Sequence, residues 1–88
     1  MTFEEYKTIF EGVLALSEKI EELCKNNRFE ETDELFDKRN QLMAKLTLPD
    51  DIDEEKILYI QNLRDKIQEK NASILTFMQN QKLAVLHR

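Results

Sequence analysis

Residues 6–23 read YKTIFEGVLALSEKIEEL, and the spacing of their apolar positions decides the fold class. Apolar side chains recur at intervals of 3, 4, 3, 4 and 3 residues, which is typical of a helix with one apolar face. These positions are Tyr6, Ile9, Val13, Leu16, Ile20 and Leu23. Thr2 and Glu5 have the spacing of a capping box, and Asn26 and Asn27 suit a helix end because Asn tolerates left-handed backbone. The pattern predicts a first helix over residues 3–25.

The next two segments carry helical patterns as well. The same spacing of 3, 4, 3, 4 and 3 residues predicts a second helix over residues 29–46. We call the line of positions with this spacing the seam of the helix, and its members are Phe29, Thr32, Phe36, Arg39, Met43 and Leu46. Pro49 interrupts this pattern because it has no N–H and disfavours helix at Leu48. Asp51 and Glu54 then have the spacing to cap a third helix over residues 52–86. Its core-facing residues are expected to be Ile57, Ile60, Leu63, Ile67, Ile74, Phe77 and Met78.

Three helices with short connections predict an all-α fold, an antiparallel up-down-up three-helix bundle that forms one domain over residues 1–88. At 1.5 Å per residue, the third helix would be about 50 Å long and would overhang the other two. Its last turns are still apolar, and no fourth segment is available to cover them. We therefore expect a partner-binding surface formed by Leu75, Met78, Lys82, Leu83, Val85 and Leu86.

Composition excludes several classes of function. The chain has 88 residues, a net charge of −5 and one each of Gly, Pro, Cys and His, so nucleic acid is a poor partner and no phosphate-cradling loop exists. The acidic cluster at residues 50–55 lies where a helix N-terminus is positive, which explains it without a metal. Cys24 falls on an apolar face and is expected to be a buried, inert thiol. We expect no enzyme activity, no cofactor, no membrane span and a cytoplasmic location.

Two polar residues occupy positions where apolar side chains are expected. Arg39 lies in the seam of the second helix, so its guanidinium needs an acceptor when it leaves water. Either its stem packs while its head pairs with a carboxylate at the seam edge, or it fixes helix register or holds the end of the bundle where a partner docks. Asn71 in the third helix is a similar register residue.

One segment resembles the FliT-type flagellar export chaperones. The residues that carry the resemblance are Asn27, Arg28, Phe29, Glu30, Leu35, Arg39, Leu42, Met43 and Leu46. The resemblance implies a small cytoplasmic helical chaperone that binds the C-terminal segment of the filament-cap protein. By position, it implies that Phe29, Leu35, Arg39 and Leu42 hold the bundle together. Family members tend to have a further C-terminal helix that occludes the client groove, and this sequence stops at Arg88.

A second segment is similar to the first helix of the all-α chorismate mutases, through Leu63, Arg64, Ile67, Asn71, Ile74, Leu75 and Met78. Asn71 replaces that family's acidic residue, and Gln81 replaces its second Arg. Three hypotheses therefore stand. The chain is a chaperone or adaptor for an amphipathic client helix, which would also dimerise without a client, or a purely structural homodimer, or a chorismate-mutase-like enzyme.

Overall fold

A computed structural model describes the backbone of residues 1–86 and the side chains of residues 1–80. Within that range the chain is all-α, as predicted. Helix α1 spans Phe3–Lys25, a short 3-10 helix spans Phe29–Glu31, α2 spans Thr32–Ala44 and α3 spans Glu54–Leu86. The third helix runs through Asn71 without interruption, and its 33 residues set the long dimension of a molecule that measures 54 × 22 × 16 Å.

The ends of α1 follow from local sequence. The Thr2 side chain accepts a hydrogen bond from the backbone N–H of Glu5 at 3.3 Å. At the other end Asn27 has a φ of 59°, so the predicted left-handed residue is present. The N–H of Arg28 bonds to the carbonyl of Leu23 at 2.9 Å, and the N–H of Asn27 bonds to the carbonyl of Cys24 at 3.1 Å. This pair of hydrogen bonds is the Schellman motif, which satisfies carbonyls at a helix end.

The second helix is shorter than predicted. Its first turn is the 3-10 helix, and the Thr32 hydroxyl donates to the carbonyl of Phe29 at 2.6 Å. At the far end the N–H groups of Lys45 and Leu46 bond to carbonyls three residues earlier, so α2 ends at Ala44 and not at Leu46. Tightened final turns of this kind are common before a proline that cannot continue a helix.

The linker before α3 corrects the predicted cap. Asp51 does not cap α3; its Oδ1 accepts from the N–H of Phe3 at 2.7 Å and so caps α1, 48 residues away in sequence. Asp53 takes the predicted role, because its Oδ1 accepts from the N–H of Lys56 at 2.9 Å. The third helix therefore begins at Glu54 and not at residue 52. The Lys56 ammonium also donates to the Asp51 carbonyl at 2.8 Å, which ties the linker to α3.

We expect the Asp51 cap to make stability depend on pH. The hydrogen bond from Phe3 and the nearby Lys56 ammonium hold the pKa of Asp51 below its ordinary value. A carboxyl whose pKa is lowered on folding stabilises the fold above its unfolded pKa, and this contribution is lost as pH falls through the folded value. In thermal unfolding, Asp51→Asn should be less stable than wild type at neutral pH, and the difference should vanish as acid protonates Asp51 in the folded protein. A difference that is independent of pH would show that the charge of Asp51 does not contribute.

The core lies where α1 packs against both other helices. Ile20, Cys24 and Ile74 form a buried cluster, and the side chains packed around it are Phe29, Leu35, Phe36, Phe77 and Met78. Val13, Leu63 and Ile67 are also buried, whereas Ile57 is 40% exposed and Met43 is 48% exposed. The prediction that Ile57 faces the core is therefore wrong, because Ile57 lies about 80–120° around α3 from the buried Leu63, Ile67 and Ile74.

The contacts of α1 give the order of the helices. Residues that pair between α1 and α3 advance in the same chain direction along both helices. The rings of Phe3 and Tyr59 pack edge to face, and further along both helices Glu21 accepts a hydrogen bond from the Lys70 ammonium at 3.3 Å. Along α1 and α2 the paired residues advance in opposite directions, since Gly12 lies against Leu42 and Ser17, five residues later, bonds to Arg39, three residues earlier. Over residues 1–86, no helix has the apolar length required to cross a bilayer.

Candidate helix-docking site

A groove separates α2 from α3. Both helices pack against α1, but among the residues described no Cα of α2 lies within 8 Å of a Cα of α3. Helices in direct contact have axes 8–10 Å apart, a distance at which several Cα pairs come this close. We call this surface the α2–α3 groove and define it by Arg39 and Met43 of α2 and by Asn71 and Leu75 of α3. The backbones of α2 and α3 are thus farther apart than those of helices in direct contact.

Arg39 crosses the groove and joins all three helices. Its Nη1 donates to the Ser17 hydroxyl of α1 at 3.1 Å and to the Asn71 side-chain oxygen of α3 at 2.6 Å. The guanidinium carbon lies 4.9 Å from the centre of the Phe36 ring. Ser17 is fully buried, and its hydroxyl donates to the carbonyl of Val13 at 2.9 Å. The hydroxyl can therefore accept from Arg39 without leaving its own proton unpaired.

The partners of Arg39 are neutral, which corrects the expectation of a carboxylate. In the part of the chain that the structure describes, no carboxylate oxygen lies within 4 Å of this guanidinium. Its Nε is buried and has no hydrogen-bond acceptor there. Burial lowers the pKa of Arg39, although an Arg stays charged at neutral pH. The groove therefore contains a partly buried positive charge that this side of the bundle does not neutralise.

Apolar side chains lie on both sides of this polar bridge. Met43 follows Arg39 by four residues and Leu75 follows Asn71 by four, so each lies on the same face of its helix as the bridging residue. Met43 is 48% exposed and Leu75 is 56% exposed. The groove thus offers a cation between two exposed apolar side chains, a pattern that an amphipathic helix can complement.

The structure brings together part of the predicted partner surface. Leu75 is exposed as expected, but Met78 packs against the buried cluster of its own chain and is only partly available. Lys82, Leu83, Val85 and Leu86 have side chains outside the described residues. Of the predicted structural residues, Phe29, Leu35 and Phe36 surround the cluster, Leu42 lies against Gly12, and Asn71 bonds to Arg39.

Sequence reasoning missed two residues of the site. Ser17 has a usable signal, because it is a small polar residue four positions after Val13 on the apolar face of α1. Met43 has no such signal, because it lies in the predicted seam and is exposed only where α2 and α3 separate.

Chemistry-bearing groups outside the groove are few. Cys24 is buried as predicted, and burial raises the pKa of its thiol, so the reactive thiolate is disfavoured. In the described range no cluster of His, Cys, Asp and Glu side chains has the geometry to hold a metal ion. Comparison with known proteins finds no family model, no curated protein and no solved structure that matches this chain.

Proposed function

We propose that this chain is a small binding module, an export chaperone or adaptor that holds an amphipathic helix of a client protein in the α2–α3 groove. The observation that carries the proposal is the separation of α2 from α3, which exposes Met43 and Leu75 beside the uncompensated charge of Arg39. A docked helix would complete a four-helix arrangement and cover these side chains. The role is one of binding, and we propose no catalytic step.

Apolar burial supplies the driving force for this binding. Covering roughly 400–600 Å² of apolar surface would contribute on the order of 10 kcal/mol before the costs of association are subtracted. The sequence-predicted surface at Lys82, Leu83, Val85 and Leu86 would lengthen the contact along α3. In the absence of a client, we propose that two copies associate through the same surface.

The resemblance to FliT-type chaperones supports a specific client, the C-terminal segment of a flagellar filament-cap protein, bound in the cytoplasm before export. The lone buried Cys24 suits a reducing compartment. This client is amenable to direct study because a short peptide can represent it.

Calorimetric titration tests the proposal. The titrants are a peptide of the filament-cap C-terminal segment, a designed amphipathic helix and a scrambled control of the designed peptide. We expect saturable 1:1 binding of the first two with a negative heat-capacity change, since apolar surface is buried, and no binding of the scrambled peptide. Sedimentation velocity of the free protein should show a dimer that the bound peptide dissociates.

The filament-cap peptide tests the identity of the client, and the designed helix tests the docking role. Binding of the designed helix without the filament-cap peptide would contradict the client and leave the docking role intact. Equal affinity for the amphipathic and scrambled peptides, or no binding of any, would contradict the docking role itself.

A further inference from the structure

The unused donors of Arg39 indicate what the docked helix must carry. Its Nη1 makes both of its hydrogen bonds to neutral oxygens, of Ser17 and Asn71. Its Nη2 has no acceptor among the described residues, and its Nε is buried without one. A guanidinium presents five N–H donors in a fixed fork, so this side chain retains capacity for a further acceptor.

Arg39 differs from the side-chain cations that form ion pairs, because its Nε is buried and, within residues 1–80, no carboxylate lies beside it. Lys25, Arg28, Lys38, Lys56 and Lys70 each lie within 4 Å of a carboxylate of this chain. These pairs include neighbours along the chain, such as Lys25 with Glu21, and one pair between helices, Lys70 with Glu21. Arg39 is the charge in the groove, and it meets an amide and a hydroxyl although the chain has 18 acidic residues.

A partly buried charge with neutral partners is poorly compensated, and a carboxylate is its best complement. Hydrogen bonds between Arg and a carboxylate are about twice as strong as neutral ones and are frequently bidentate. When a helix covers the groove and removes water, an acidic residue opposite Arg39 would restore this compensation, whereas an apolar residue would leave the charge buried and unpaired.

We propose that Arg39 receives the carboxylate of a Glu or Asp at the centre of the apolar face of the docked helix, and so selects clients that carry one. This inference rests on the proposed function and names the chemistry of its ligand. Met43 and Leu75 lie one helical turn from the two bridging residues, on opposite sides of the bridge. The selected segment therefore has apolar residues about one turn before and one turn after its acidic residue.

Two designed amphipathic peptides test the inference. They are identical except for the central residue of the apolar face, which is Glu in one and Gln in the other. Each is titrated into wild type, Arg39→Met and Arg39→Lys at neutral pH, which gives a double-mutant cycle. Arg39→Met is expected to fold, because the Ser17 hydroxyl keeps its bond to Val13 and the exposed Asn71 amide regains water. Circular dichroism checks the helical content of both variants.

Wild type should bind the Glu peptide about tenfold more tightly than the Gln peptide, since charge-assisted hydrogen bonds are involved. Arg39→Met should lose this preference, and Arg39→Lys should retain a smaller one because it keeps the charge without the fork. Equal affinity of wild type for the two peptides would overturn the inference and leave the docking role standing. A preference that survives in Arg39→Met would also overturn it, and failure of both peptides to bind wild type would overturn the docking role together with it.

Discussion

Replacing Ile20 by Ala should lower the free energy of unfolding by about 2–5 kcal/mol, the range for large-to-small changes in a packed core. Ile20 has no exposed surface and lies in the cluster with Cys24 and Ile74, where α1 meets both other helices. Phe29, Phe36 and Phe77 pack around this cluster, so the missing carbons would leave a cavity in its centre. A domain of this size has only about 5–15 kcal/mol of stability in total, so the loss would be large. Urea unfolding followed by circular dichroism measures it.

Leu48→Ala is the matched control for Ile20→Ala. Leu48 is 78% exposed in the linker between α2 and α3, so its truncation should change the free energy of unfolding by less than about 0.5 kcal/mol. If the two substitutions cost the same, the buried cluster around Ile20 would not be the centre of the fold.

Leu75→Glu should weaken binding of the designed amphipathic peptide about ten- to a hundredfold, with the helical content unchanged. Leu75 is 56% exposed, so a charge there is solvated in the free protein and costs little stability. In the complex the same carboxylate would be buried against the apolar face of the client and would lose its water. A loss of this size is what substitution of a hot-spot residue at the centre of an interface produces. Calorimetric titration of the variant measures the change.

Leu58→Glu supplies the control on the same helix. Leu58 is 60% exposed and precedes Leu75 by 17 residues, so it lies about 100° away around α3 and outside the α2–α3 groove. The affinity of the Leu58→Glu variant for the peptide should stay within about twofold of that of wild type. Equal losses in Leu58→Glu and Leu75→Glu would show that binding depends on general charge and not on the groove.

Local signals account for the parts of the fold that the sequence predicts well. The bounds of α1 follow from the Thr2 cap and from the left-handed Asn27, and both act within a few residues of the helix end. The break before α3 follows from Pro49, whose effect on the backbone does not depend on the rest of the fold. The all-α class follows from the spacing of apolar residues, because that spacing has meaning only on a helix.

The features that depend on the packing of helices were predicted less well. Asp51 has the spacing to cap α3, yet it caps α1, because the linker passes close to the start of the chain. The partners of Arg39 depend on how far α2 lies from α3, which no local pattern encodes. Met43 matches the predicted pattern of α2 and is nevertheless exposed, and Ile57 was predicted to face the core but lies about 80–120° around α3 from its buried residues. Arg39, Asn71 and Leu75 of the groove were thus singled out from the sequence. The hydrogen bonds that Arg39 makes to Ser17 and Asn71 became visible only in the structure.

The most direct measurement is an NMR titration of the uniformly ¹⁵N-labelled protein with the designed amphipathic peptide that carries the central Glu. We expect saturable shifts of the Arg39 Nε–H and of the backbone amides of Arg39, Met43, Asn71 and Leu75, and small shifts at Leu58. Shifts that cluster on the outer face of α3 around Leu58, with the groove amides unmoved, would contradict the claim that the space between α2 and α3 receives a partner helix.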